Sequence, residues 1–242
     1  MTSYGPLAPW YDKLTKDVPY ASFADFYEKQ FQATEGSFQM LLDLCCGTGT
    51  LTQLMAQRGY EMIAVDMSPD MLMSASAKDY SGVIPPLFLC QDARELDLYG
   101  TVDACYCSLD GFNYIPGEDL PEVFHRLHLF VRPGGLLIFD LRTEDFFASI
   151  DGDIFVDETD DVLCLWRADY EPDEKLMVYS MDVFSRSGKY WKRGNEDHLE
   201  YVHPEEELRK MLASNGFINI KFTTDCPQGN MGRVFVIAQR DE

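Results

Sequence analysis

One ten-residue stretch, Leu41-Leu42-Asp43-Leu44-Cys45-Cys46-Gly47-Thr48-Gly49-Thr50, constrains this chain more than any other. An apolar run ends in an acid, breaks into a loop of small residues, and reopens as an amphipathic helix over Leu51–Gln57. That pattern predicts a strand, a tight turn and a helix start. Small residues there let backbone groups approach a ligand closely where larger side chains would block them. The next apolar run, Met62-Ile63-Ala64-Val65, ends in Asp66, a position suited to the hydroxyls of a ribose. A βαβ unit with a small-residue turn and an acid after its second strand reads as a nucleoside-cofactor site.

These residues resemble the signature of the class I S-adenosylmethionine-dependent methyltransferases, in which an acid is followed by three glycines at alternating positions. The chain supplies Asp43, then Cys45 in place of the first glycine, then Gly47 and Gly49. The departure at Cys45 bears on loop geometry, because a Cβ narrows the allowed backbone torsions.

With 242 residues and 46% apolar content, the chain is long enough for one α/β domain with a modest insertion. No apolar run reaches membrane-spanning length, and Met1–Tyr11 lacks the basic patch and apolar core of a signal peptide, so a cytoplasmic location is expected. The seven cysteines show neither a disulfide framework nor zinc-ligand spacing, and reduced thiols are expected. A net charge of −21 argues against a nucleic acid substrate, whose phosphates call for basic surface. Lys189 with Trp191-Lys192-Arg193 is the one basic cluster, and it reads as a solvated hairpin edge.

Along the chain, Pro6, Pro9 and Pro19 punctuate an aromatic arm, and a helix is predicted over 23–32 with Ser22 as its N-cap. Strands are predicted at 40–44, 62–66, 86–90, 102–107 and 136–141, alternating with helices over 50–57, from Ser68-Pro69-Asp70, and over 119–130. Their near-continuous apolar runs predict a parallel sheet covered on both faces. After Arg142 the pattern changes to an antiparallel meander over 162–170, 175–184 and 189–202, turning at Glu171-Pro172-Asp173-Glu174 and Ser185-Arg186-Ser187-Gly188. A helix from Pro204 to Asn215-Gly216 and strands at 217–223 and 233–239 complete the chain.

This order is similar to the methyltransferase fold along nearly the whole chain. The resemblance implies an α/β architecture with a seven-stranded doubly wound, Rossmann-like sheet whose last strand is antiparallel, and an antiparallel β-meander as a lid insertion. It implies one domain over 1–242: arm and first helix over 1–35, cofactor core over 36–142, lid over 143–203, and a returning helix and hairpin over 204–242.

The resemblance also implies S-adenosyl-L-methionine as cofactor and a site for it. Asp43 would lie near the ammonium, with the loop through Cys45, Gly47 and Gly49 around the methionine part. Asp66 would accept from the ribose hydroxyls, and Met67 would lie against the adenine. Asp92 would accept from the adenine amino group, the Ala93 amide would donate to the ring, and Ser108 would face the methionine end. Tyr11 and Tyr20 either fold over the cofactor or pack the arm onto the domain. Asn113 and Tyr114, after the fourth strand, are the acceptor-side candidates. The cofactor brings its own electrophile, so no acid–base constellation is demanded, and none is evident; orientation alone can supply about 7–11 kcal/mol of barrier reduction.

Other readings weigh less. His125 and His128, three apart on a helix, lack further ligands for a metal site, so no metal is expected. Trp166 and Trp191 on the meander either face the acceptor or pack the lid against the sheet, and packing is the favoured reading. An NAD-dependent oxidoreductase would want a third glycine where the chain has Thr50-Leu51-Thr52. The leading expectation is methyl transfer to a nitrogen or oxygen of a small-molecule acceptor. A non-catalytic S-adenosylmethionine-binding module and an RNA or protein methyltransferase stand as rival functions. The oligomeric state is not legible in the residues.

Overall fold

The computed structural model describes residues 4–225, 227 and 232–242. After a short 3-10 turn, helix α1 (Tyr11–Leu14) and helix α2 (Tyr20–Gln32) lead into strand β1 (Met40–Leu44) and helix α3 (Thr50–Gln57). Strand β2 (Glu61–Asp66), helix α4 (Pro69–Ser76), strand β3 (Leu87–Cys90) and strand β4 (Val102–Cys107) follow. Helix α5 (Leu120–Phe130), strand β5 (Val131–Arg142) and helix α6 (Glu144–Ser149) precede strands β6 (Ile154–Glu158), β7 (Val162–Glu171), β8 (Leu176–Ser187) and β9 (Tyr190–Tyr201). Helix α7 (Glu205–Ser214) and strands β10 (Phe217–Thr223) and β11 (Arg233–Arg240) end the chain.

Seven strands form one sheet in the order β3-β2-β1-β4-β5-β11-β10, with β11 antiparallel to both neighbours. The α/β doubly wound sheet that the resemblance implies is therefore present, and β6 to β9 make the separate antiparallel sheet. Alternate residues of each central strand face opposite layers. Leu42, Cys105 and Leu137 pack with α5 and α7, whereas Leu41, Ala104 and Ile138 pack with α2 and α3. Burial on both faces explains why these strands read as unbroken apolar runs.

Several boundaries differ from expectation. Helix α2 begins at Tyr20, and the Ser22 amide donates to the Pro19 carbonyl (2.9 Å), so Ser22 lies in the first turn and caps nothing. Proline is compatible with a helix start because no N–H is needed there. Strand β5 begins at Val131 and runs through Pro133-Gly134-Gly135, which read as a turn. A Cβ on Gly135 would lie 2.6 Å from the Asp103 carbonyl, so glycine is what lets β5 approach β4 across a register shift. The β8–β9 hairpin turns on Gly188 and Lys189 alone, with Ser185–Ser187 inside the strand, and Gly188 supplies the left-handed torsion such a tight turn needs. Helix α6 and strand β6 were not expected. Trp166 is partly buried against the meander's inner face, but Trp191 is 51% exposed and does not pack the second sheet onto the first.

Candidate active site

The carboxyl ends of β1, β2, β3 and β4 open onto one cavity of about 400 Å³, at the crevice where ligands of open α/β sheets bind. Between β1 and α3, Cys45, Gly47 and Gly49 all have left-handed torsions (φ +57°, +54° and +69°). The loop is pinned from β2: the Cys46 amide donates to the Val65 carbonyl (3.0 Å) and the Gly47 amide to Asp66 Oδ2 (2.8 Å). Asp66 Oδ1 accepts from its own loop at the Ser68 amide (2.8 Å). Burial raises the Asp66 carboxyl above its usual range. Each Asp66 oxygen keeps a lone pair beyond these backbone bonds, and the residue lines the cavity.

The two glycines of the loop serve different ends. A Cβ on Gly47 would meet nothing within 4 Å, so its side of the loop is open. A Cβ on Gly49 would lie 2.9 Å from the Ala75 Cβ, so Gly49 lets the loop seat on α4 and is not on the cavity. Cys45, which carries a side chain where glycine is the ordinary choice, lines the cavity.

Asp43, at the end of β1, is buried but reaches the cavity. Its Oδ2 accepts from Thr52 Oγ1 (2.5 Å) and from the Tyr106 hydroxyl (3.2 Å). Burial pushes the carboxyl up to about 7, against the pull of those two hydrogen bonds. Among the described residues no cation pairs with Asp43, and a buried carboxylate so placed suits a cationic ligand group.

At the end of β3, Asp92 caps a 3-10 turn that begins at Ala93. Asp92 Oδ1 accepts from the Arg94 amide and Nε (both 2.9 Å), and Oδ2 from Arg94 Nη2 (2.6 Å). The Arg94 guanidinium accordingly holds the carboxyl below its usual range. Asp92, Ala93 and Arg94 line the cavity, as does Met67, which is 58% exposed at its rim. Arg94 was not anticipated.

After β4, Ser108 lines the cavity and its hydroxyl lies 2.7 Å from that of buried Tyr27. Leu109 and Asp110 both take left-handed torsions (φ +58° and +61°). Asp140 from β5 holds that turn by accepting from both of their amides (2.8 and 3.1 Å). Buried Arg233 from β11 bonds Asp140 and, at 2.8 Å, Asp110; Arg142 Nε lies 3.1 Å from the same Asp110 oxygen. Tyr114 lines the cavity, but Asn113 does not. Asn113 is fully buried, donates to the Tyr201 carbonyl (2.9 Å) and accepts from the Arg142 amide (2.9 Å), tying β9 to β5.

The arm and the second sheet complete the enclosure. Tyr4, Tyr11 and Tyr20 line it from the arm, and Asp197, Leu199 and Tyr201 from β9. Asp12 ties the arm to the β1–α3 loop, accepting from Thr48 Oγ1 (2.5 Å) and Thr50 Oγ1 (3.1 Å) and pairing with Lys78. Tyr4 and Asp12 carried no sequence signal, because a contact between an arm and a loop 36 residues on leaves no periodic trace.

A loop of left-handed residues, an acid buried at its root and a second acid fastening it from the neighbouring strand define an α/β enzyme for an adenosyl cofactor. The residues fit S-adenosylmethionine: Asp43 suits an ammonium, and Asp66 has acceptor capacity for vicinal hydroxyls. Comparison with known proteins agrees. Residues 41–135 match the family described as Methyltransferase domain. The methyltransferase-family protein YqeM of Bacillus subtilis (strain 168) is 31% identical over 99% of this chain and 98% of its own. A crystal structure of an S-adenosylmethionine-dependent methyltransferase from Clostridium acetobutylicum ATCC 824 superposes with a TM-score of 0.85 at 29% identity, covering all of both chains. The sugar N-methyltransferase KedS8 from Streptoalloteichus sp ATCC 53650 shares the fold (TM-score 0.81, 20% identity, 94% of this chain and 90% of that one). The chain belongs to the class I S-adenosylmethionine-dependent methyltransferases, and its cofactor is S-adenosylmethionine rather than a nicotinamide dinucleotide.

Proposed function

We propose that the protein methylates a nitrogen or oxygen of a small-molecule acceptor by in-line displacement. The observation that carries this reading is the continuity of the cavity. It runs from the Asp43–Asp66 end to a chamber walled by Tyr4 and Tyr114 and roofed by Leu199 and Tyr201 of the second sheet. A roofed cavity of about 400 Å³ for cofactor and acceptor together suits a small molecule better than a polymer, and the charge of −21 further disfavours a phosphate backbone. The structural likeness to a sugar N-methyltransferase adds support for a small acceptor.

When bound, the cofactor supplies a methyl on a cationic sulfur that joins the acceptor's lone pair as the S–C bond pair returns to sulfur. The chain's part is to orient and to exclude water. Asp43 takes the ammonium, Asp66 the ribose hydroxyls, and Met67 the adenine face. The Ala93 amide donates to the ring, and Asp92 accepts from the adenine amino group with lone pairs that Arg94 leaves free. Ser108 orients the methionine end. Tyr11 and Tyr20 cover the sulfonium, a contact worth about 1–2 kcal/mol when desolvated.

A panel of amines, carboxylates and phenols, read by S-adenosylhomocysteine release, tests the reading. Release with at least one small acceptor is expected. Silence across the panel despite tight cofactor binding, or methyl incorporation into cell extract that nuclease abolishes, would overturn it.

A further inference from the structure

Strand β9 carries three ionisable residues, Glu196, His198 and Glu200, on one buried face, with exposures of 6%, 1% and 6%. Their partners across the strand pair are Met181, Tyr179 and Met177. Among the described residues, both Glu196 oxygens, His198 Nε2 and Glu200 Oε2 lack a hydrogen-bond partner. His198 Nε2 nevertheless lies 3.2 Å from Glu196 Oε1, an approach whose angle falls short of a hydrogen bond. Apolar side chains of similar volume would be less costly here, so a function rather than stability accounts better for the cluster.

The cluster is joined to the cavity by one line of hydroxyls. The Tyr4 hydroxyl donates to that of Tyr114 (2.7 Å), and Tyr114 lies 2.9 Å from His198 Nδ1. With Tyr4 donating, the Tyr114 proton is left for Nδ1 or for the Glu200 carboxyl, which Tyr114 also meets in a side-chain hydrogen bond; given to Nδ1, it leaves the neutral imidazole's own proton on Nε2, beside Glu196. The Tyr4 ring meets the His198 ring edge-on at 4.4 Å between centroids and fixes its plane. Tyr4 and Tyr114 line the cavity; His198 does not.

Resting on the methyl-transfer reading above, we infer that Tyr4, Tyr114 and His198 form a proton relay that removes the acceptor's surplus proton and holds it on His198 beside Glu196. The new bond leaves the acceptor heteroatom one proton in excess. That proton passes to the Tyr4 oxygen as Tyr4 gives its own to Tyr114, and Tyr114 gives its own to Nδ1. The balance is one proton lost by the acceptor and one gained by the imidazole, with both phenols restored. Burial raises both phenols well above their usual value, which keeps them neutral between transfers. The groups facing this line are Tyr11 from the arm, Tyr179 from β8, Glu200 from β9, Asp110 after β4, and Arg142 and Arg233 at the ends of β5 and β11. Burial also pushes the Glu200 carboxyl well up, which favours its neutral form beside Tyr114.

The test uses the full chain labelled with 15N-histidine; its four histidines give few signals, and His198→Asn assigns the one of interest. Two-bond proton–nitrogen spectra across a pH titration are expected to place the neutral proton on Nε2. A neutral proton on Nδ1 would overturn the relay. In parallel, glycine, ethanolamine and catechol serve as acceptor probes. With any probe that is methylated, His198→Asn is expected to lower kcat roughly 100-fold and remove the acid limb of its pH profile, with KM for the cofactor within about twofold. An unchanged acid limb would refute the relay. Calorimetry that detects no S-adenosylmethionine binding would instead refute the methyl-transfer reading, and the spectra would still decide the His198 line.

Discussion

A Cβ built on Gly111 would stand 2.9 Å from the Cβ of Cys45, and 2.5 Å from Cys107 Sγ. Cys45 occupies the family's first glycine position with a left-handed backbone, and its side chain finds space because Gly111 has none.

Gly111→Ala is therefore expected to destabilise the fold by about 1–3 kcal/mol in urea unfolding, as overpacked sites do. In a Cys45→Gly background the cost should shrink, because one of the two close approaches disappears while the Cys107 contact remains. A coupling of about 0.5 kcal/mol or more is the predicted result; strictly additive effects would dissociate the two positions.

Asp43 predicts a pH dependence in two measurements. Its carboxyl rises from 3.8 to about 7 on folding, chiefly through burial. The stability it contributes is thus fully present below pH 3.8 and is lost as pH rises through about 7. The ammonium of the cofactor wants the ionised form, so affinity for S-adenosylmethionine should fall by up to about tenfold per unit as pH drops below that midpoint. Titration calorimetry between about pH 5.5 and 8.5 checks this, and Asp43→Asn should bind weakly with a much flatter profile. A wild-type affinity constant over that range would remove Asp43 from the ammonium site.

Arg233 neutralises Asp140 and Asp110 where none of the three is well exposed. Arg233→Met strands the buried Asp140 carboxylate and leaves Asp110 with Arg142 as its remaining cation, and is expected to cost about 3–5 kcal/mol in denaturant unfolding. The Leu109–Asp110 turn hangs from Asp140, so cofactor affinity should fall in the same variant. Loss of stability with unchanged affinity would separate the ion cluster from the site.

Asp12 offers the converse case. Its side chain is substantially exposed, and it ties the arm to Thr48, Thr50 and Lys78. Asp12→Ala should lower cofactor affinity by roughly fivefold, the worth of about 1 kcal/mol of hydrogen bonding, while shifting the unfolding midpoint little. Unaltered affinity would mean that the arm closes the cavity without help from Asp12.

Much of the molecule was legible in its residues, and for one reason. Local chemistry and burial on both faces leave a linear mark: Asp43, the small-residue loop, Asp66, the Ser68-Pro69 helix start and the apolar strands are each visible within a few neighbours. From these came the parallel sheet covered on both faces and a nucleoside-cofactor site, and the family resemblance they carry implied the antiparallel last strand and S-adenosylmethionine. Groups joined across long separations leave no such mark. The bond of Asp140 to Arg233, the space that Gly111 cedes to Cys45, the Asp12 tie and the Tyr114–His198 line exist only once the sheet has stacked β4, β5 and β11 and laid β9 over the cavity. Asn113 shows the limit well: its position after β4 suggested an acceptor contact, yet packing turned its amide toward the Tyr201 and Arg142 backbones. Sequence settled which cofactor and which fold, because those depend on residues near one another; tertiary packing alone decided what surrounds the acceptor.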